Sequence, residues 1–239
     1  MKLPRIPHPW RLSPARAIAV QRHLAAHVRV EPLAGAARLV AGLDAAFSAD
    51  ERDCLAAAVV WDRVERRVVE VATARRPVRF PYVPGLLSFR EAPALLAALR
   101  RLRCVPDVLL CDGQGLAHPR RFGIACHLGV LCNLPAVGCA KSRLVGEHAD
   151  LPAAAGARAD LVFEGAVVGA VVRTRAGVRP VYVSVGYRCD LDAAVALVLD
   201  CVAGRRLPEP TRLADRWVAA LKRGRSPPPP GCLGAGLSG

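Results

Sequence analysis

The chain has 239 residues, with 34 lysines and arginines against 20 aspartates and glutamates, and a formal net charge of +14. At 53% hydrophobic and 23% charged it has enough apolar material for a sizeable core, which excludes a wholly disordered protein. No run approaches the ~20 continuous apolar residues of a membrane-spanning helix, and the positive charge suits an acidic partner, of which nucleic acid is the commonest.

In chain order, Ser13 followed by Pro14 has the N-cap and first-turn pattern of a helix start. Arg16, Arg22 and Arg29 interrupt this basic N-terminal region, so it lacks the apolar core of a secretory signal, and a cytoplasmic location is expected. An apolar strand over residues 39–43 runs into Asp44. Strands over 54–61 and 68–73, joined by the polar stretch 62–67, read as an antiparallel meander. A Pro-rich loop over 77–85 leads to Ser88 and Glu91, spaced as a capping box, and to a helix with Leu95, Leu96, Leu99 and Leu102 on one face. A strand over 108–111 ends at Asp112. A Gly-rich turn, a helix over 121–131 and a strand over 136–140 follow. Strands over 167–174 and 181–185, a helix opening at Asp190 and a last helix over 212–222 complete the pattern. From Gly224 onward, four consecutive prolines and several glycines predict a disordered tail over 224–239, leaving 1–223 as a single domain. The order of elements predicts an α/β protein with a mixed sheet flanked by helices.

The nine cysteines form no C-x-x-C pair and sit mainly among Ala, Val and Leu. They read as small buried hydrophobes in a reducing compartment rather than as disulfides or a zinc site.

Acidic residues are scarce, so Asp44 and Asp112, each at the end of an apolar strand, stand out. A mixed sheet could set those strands side by side. Paired carboxylates repel at a cost that a divalent cation relieves, and Mg²⁺ uses one or two protein carboxylates while keeping sites for water and phosphate. Glu91 is a third acid at the start of the intervening helix. The alternative leaves Asp44 and Asp112 as turn residues and Glu91 as part of a cap. After Asp112, Gly113 and Gly115 allow close backbone approach to a ligand, and His118, Arg120 and Arg121 could meet phosphate.

Four ordered motifs closely resemble endonuclease V: Ala41-Gly42-Leu43-Asp44; Pro81-Tyr82-Val83-Pro84-Gly85-Leu86-Leu87-Ser88-Phe89-Arg90-Glu91; Asp112-Gly113-Gln114-Gly115-Leu116-Ala117-His118-Pro119-Arg120; and Gly138-Cys139-Ala140-Lys141-Ser142-Arg143-Leu144. The resemblance extends over about residues 13–222. It implies a ribonuclease-H-like fold and a repair nuclease acting on DNA that contains deoxyinosine, with inosine-containing RNA as an alternative substrate. The implied reaction is hydrolysis of the second phosphodiester bond 3′ to the lesion, leaving 3′-hydroxyl and 5′-phosphate ends, with Mg²⁺ as cofactor and Mn²⁺ as a substitute. A non-cleaving inosine-binding protein is the alternative from a different class.

Carried over by motif, Asp44, Glu91 and Asp112 are expected to bind metal and Lys141 to lie near the reacting phosphate. Lys141 is one of only three lysines in an arginine-rich chain, which suggests a need for a compact ammonium. Asp215 falls at a fourth catalytic position, its alternative being a solvated charge on the last helix. Tyr82, between Pro81 and Pro84, resembles a strand-separating wedge that stacks where a base has been extruded. Gly85, Leu87, Gly113, Gly123, Ile124, Ala140, Ser142 and Leu144 match positions lining a hypoxanthine pocket, with His118 beside it. No membrane association is expected, and the protein is expected to act as a monomer.

Overall fold

The computed structural model describes residues 1–225; residues 226–239, most of the expected tail, lie outside the described residues. Eight strands form one mixed sheet in the order β3-β2-β1-β4-β5-β8-β7-β6. β1 (Leu39–Phe47), β2 (Asp53–Asp62) and β3 (Arg67–Pro77) are the expected antiparallel meander. β4 (Val108–Cys111) pairs parallel with β1, and β5 (Ala136–Ala140) pairs parallel with β4. β6 (Arg158–Phe163), β7 (Ala166–Val172) and β8 (Val181–Tyr187) close the other edge antiparallel.

The sheet is covered on both faces, and the alternation of side chains along each strand decides which helices lie where. On β2, Cys54, Ala56, Ala58 and Val60 face the layer of α2 (Ser88–Arg101) and α3 (Ile124–Cys132). The intervening Leu55, Ala57, Val59 and Trp61 pack on Leu213, Ala214, Trp217 and Val218 of α5 (Glu209–Lys222). α4 (Leu191–Asp200) covers Val137, Val183 and Val185 further along the same face. Strands buried on both faces explain why β4 and β5 read as continuous apolar runs. α1 (Pro14–Ala25) lies against α3, and Ser13 caps it by accepting from the Arg16 N–H.

Several elements differ from the expected ones. β1 does not stop before Asp44 but continues to Phe47, because β2 keeps hydrogen-bonding to it beyond the point where β4 ends. The first-turn residue Ser88 does not form a capping box: the N-cap position is Leu87, without a side-chain bond, and the Ser88 hydroxyl instead meets His127 Nδ1 at 3.0 Å. β6 was not expected. It is an edge strand carrying Arg158 and Asp160, and such charges protect an edge while masking its hydrophobic pattern. Asp190 does cap α4, accepting from the Ala193 N–H at 2.7 Å. The eight cysteines among the described residues are all free, and all but Cys104 are buried. No helix among the described residues is long and apolar enough to cross a membrane.

Candidate active site

The parallel pairing of β1 with β4 sets Leu43 opposite Cys111, so the next residues, Asp44 and Asp112, are neighbours; the Asp112 N–H donates to the Leu43 carbonyl at 3.0 Å. On β1, Gly42 shares the pleat face of Asp44, and this face lies under α5. A Cβ on Gly42 would fall 2.0 Å from the Pro210 carbonyl carbon, so only glycine lets the start of α5 lie down on β1. That contact brings Asp215, further along α5, to the carboxylates. One ligand oxygen each from Asp44, Asp112 and Asp215 lie within 4.8 Å of one another. Asp215 is therefore no remote solvated charge, although its side chain remains 52% exposed.

Glu91 enters the same cavity from the first turn of α2, outside that closest trio. The cavity, of about 390 Å³, is lined by four carboxylates (Asp44, Glu91, Asp112 and Asp215) against the ammoniums of Lys141 and Lys222. Lys141 Nζ lies 2.6 Å from Asp112 Oδ2 and 3.3 Å from Asp215 Oδ1. Burial, then the charge of Asp112, push Asp44 up to about 7, with Lys141 pulling the other way. Burial, then Asp44 and Asp112, push Glu91 up to about 8. For Lys141, burial opposes the charged form, but the hydrogen bond to Asp112 and the charges of Asp112, Asp215 and Asp44 prevail and raise its pKa. The carboxylates thus carry more like charge than the two lysines relieve. An all-oxygen donor set with two formal negative charges left over fits a hard divalent cation.

A second cavity, of about 410 Å³, adjoins the first. Tyr82, Pro84, Gly85, Leu87, Gly113, His118, Gly123, Ile124, Ala140, Ser142 and Leu144 all line it; of the residues expected to contact substrate only Pro81, on the wedge loop, does not. Tyr82 projects at the loop tip, 69% exposed. The wall is held from behind. Gly85 adopts φ +76°, a conformation natural to glycine, and its carbonyl accepts from Gln21 Nε2 (3.0 Å), His118 Nε2 (3.0 Å) and Arg120 Nη2 (2.6 Å). The Arg120 N–H donates to His118 Nδ1, which fixes the neutral tautomer with the proton on Nε2. Burial, then Arg120, lower the His118 pKa to about 4 in spite of the bond to Gly85.

This network corrects the expectation that Arg120 and Arg121 meet phosphate. Arg120 is committed to Gln21 and Gly85, and Arg121 to the Phe163 carbonyl and Glu164. Sequence reasoning missed Gln21, a polar residue on α1 that is 1% exposed and bridges Gly85 to the Phe122 carbonyl. Its partners lie 64 and 101 residues away, so no local pattern marks it. Gln114, whose Nε2 donates to the Ser142 carbonyl at 2.9 Å, joins the two pocket walls in the same way.

A mixed sheet whose adjacent parallel strands deliver two aspartates into a cavity completed by helical acids defines a nuclease of the ribonuclease-H-like class. The sequence profile described as Endonuclease V matches residues 22–216, and the chain belongs to the endonuclease V family. It is 52% identical over 224 residues to endonuclease V of Roseiflexus castenholzii, covering 94% of this chain and 99% of the relative. The crystal structure of endonuclease V from Streptomyces avermitilis superposes with a TM-score of 0.86 at 46% identity, over 92% of this chain and 97% of that one. Ciona intestinalis endonuclease V in complex with a 24mer DNA containing an inosine followed by a ribo-adenosine gives a TM-score of 0.76 at 25% identity, over 88% and 98% of the two chains.

Proposed function

We propose that the protein is a Mg²⁺-dependent repair endonuclease that extrudes deoxyinosine from DNA and hydrolyses the second phosphodiester bond on its 3′ side, leaving 3′-hydroxyl and 5′-phosphate ends. One observation carries this reading: Asp112, Lys141 and Leu87 line both cavities, so a base pocket and an acidic centre share a wall. A strand can then place an extruded base in one and a downstream phosphate in the other. The DNA complex of the Ciona relative supports the choice of inosine-containing DNA as substrate.

Each residue has a role that follows from its place. Asp44, Asp112 and Asp215 would hold the cation, with Glu91 close enough to share its field. A Mg²⁺ held there, or Mn²⁺ in its place, would supply Lewis acidity, making water a better nucleophile and stabilising charge on the phosphate oxygens. Lys141 keeps its proton and presents a fixed positive charge beside Asp112, where the anionic phosphate must approach. Tyr82 fills the gap left in the stack. The pocket presents small residues and backbone groups that suit the O6 and N1 edge of hypoxanthine. The neutral His118 supports this wall through Gly85 and carries no charge to attract phosphate into the base site. Free, buried cysteines fit a reducing compartment, and we place the protein in the cytoplasm.

The test is incision of a duplex carrying one deoxyinosine, against the same duplex with adenine, for the unchanged protein and for Asp44→Ala. Cleavage restricted to the inosine strand, and lost in Asp44→Ala, is expected. No cleavage by either, or equal cleavage by both, would overturn the assignment. A competing inosine-containing RNA in the same assay ranks the two substrate classes.

A further inference from the structure

Arginine pairing divides the surface on the far side of the wedge loop. Arg75 and Arg76 are adjacent on β3 and so point to opposite faces of the sheet. Arg75 is spent on Asp53, its Nη2 2.7 Å from Oδ2, whereas the Arg76 side chain has no hydrogen bond or ion pair among the described residues. The same is true of Arg79, at the base of the loop, and Arg100, near the end of α2. These three exposed arginines surround a hollow of about 260 Å³ whose other walls are Trp10, Pro77, Phe89, Pro93 and Leu96. No carboxylate lines it.

Phe89, Pro93, Leu96 and Arg100 recur at helical spacing and form one stripe of α2. At about 100° per residue, Glu91 lies some 200° round the same helix, so about 10–12 Å of helix separates this hollow from the acidic cavity. Phe80, buried and 5.4 Å from the Phe89 ring, anchors the loop, with Arg79 on the hollow's rim and Tyr82 at the base pocket. Trp10 is held in place by an edge-on contact with His8, 4.7 Å between centroids, and another with Phe89 at 6.3 Å.

Three like charges around a hollow, with no acid to relieve them, are stabilised by an anion. Guanidinium groups favour phosphate, and a fixed indole offers a stacking surface for a base. The volume is below that of a pocket for a whole drug-sized ligand and suits one unit of a strand passing across it. We propose that this Trp10–Arg76–Arg79–Arg100 hollow holds the strand opposite the lesion, with a phosphate among the arginines and a base against the indole. The inference rests on the nuclease reading above. If Tyr82 parts the duplex, the lesion strand enters the base pocket and its partner is left on the other side of the loop, where this hollow lies.

The test is fluorescence anisotropy at several salt concentrations in EDTA. The probes are an inosine-containing duplex, the same inosine strand alone, and the undamaged duplex. The combined Arg76→Ala, Arg79→Ala, Arg100→Ala protein is expected to bind the inosine duplex at least about tenfold more weakly, with its log–log salt slope reduced by about 0.9 for each phosphate no longer neutralised. Its affinity for the single strand should stay within about twofold of the unchanged protein. Trp10→Ala is expected to cost about tenfold on the duplex alone. A charge-matched control, Arg67→Ala, Arg175→Ala, Arg205→Ala, should leave the duplex preference in place. Equal losses on duplex and single strand would assign the hollow to the lesion strand and overturn the proposal, as would no loss on either. If the Mg²⁺-supplied incision assay above shows no inosine-restricted cleavage, the nuclease reading fails, while the duplex-to-single-strand comparison still reads the hollow.

Discussion

The two cavities that share Asp112 and Lys141 are built on opposite electrostatic principles. In the acidic cavity, Asp44 and Glu91 are half-buried beside other carboxylates, and both hold protons more tightly than a carboxylate normally does. Beside the second cavity, the Gly85–His118 part of the wall is satisfied: the Gly85 carbonyl has three donors, and His118 uses both ring nitrogens. The first region stores repulsion that a cation would release. The Gln21–Gly85–His118 wall of the second is held by hydrogen bonds, with a neutral histidine at its centre. On the proposed reading, catalytic charge and base selection are separated within one continuous site, and stability should respond to them in opposite ways.

The largest expected effect breaks the wall the two cavities share. Asp112→Asn removes the charge that holds Lys141 at 2.6 Å and one of the three grouped carboxylates, so single-turnover incision should fall about 10³-fold, or roughly 4 kcal/mol. Affinity for the inosine duplex should change only a few-fold, because the base pocket keeps its frame. A large loss of binding with near-normal turnover would show that the cavities are not divided as described.

The next effect isolates the stored repulsion. Glu91 has its pKa raised to about 8, so in the metal-free protein it lowers stability as pH rises from its ordinary value near 4.5 through 8. Glu91→Gln removes that penalty. At pH 8 in EDTA its melting temperature should exceed that of the unchanged protein by about 2–8 °C, corresponding to about 1–2 kcal/mol, even as incision falls. The gain should shrink at pH 5 and when Mg²⁺ is supplied. An unchanged or lower melting temperature at pH 8 would show that Glu91 is not under repulsion.

Much of the acidic region was legible in the sequence because its chemistry is carried by charge, and charge is rare among so many apolar residues. Two aspartates at strand ends suggested neighbouring strands, and the parallel pairing of β1 with β4 placed them so. Asp215 was harder to read. Its approach depends on Gly42, more than 170 residues earlier in the chain, leaving room for Pro210, and such a contact has no local pattern. Glu91 misled in a different way. Its spacing from Ser88 imitates a capping box, yet the N-cap position is Leu87 and the serine turns to His127. The pocket lining followed from the motifs, but the frame behind it did not. Gln21, His118 and Arg120 converge on one carbonyl from separate segments, and Arg120 looks like an exposed phosphate contact until its partners are known.

The smallest effect tests that frame. His118 is 4% exposed and neutral, with its pKa lowered to about 4 by burial and by Arg120. In the unfolded chain it takes up a proton near pH 6.5, while the folded protein resists until about pH 4. Its contribution is therefore complete above about pH 6.5 and is lost as pH falls toward 4, the reverse of Glu91. His118→Gln retains a donor for the Gly85 carbonyl but cannot titrate. Melting temperatures measured from pH 7 to pH 4.5 should fall less steeply for this variant, by about 1–2 kcal/mol at pH 5, after a loss of about 1 kcal/mol at neutral pH. The acid decline should be reduced rather than abolished, because His127, buried and lowered to about 3 first by that burial and then by His8, titrates in the same direction. An acid limb as steep as that of the unchanged protein would mean that His118 opens to solvent before it charges, and that the base-pocket wall is less rigid than its hydrogen bonds imply.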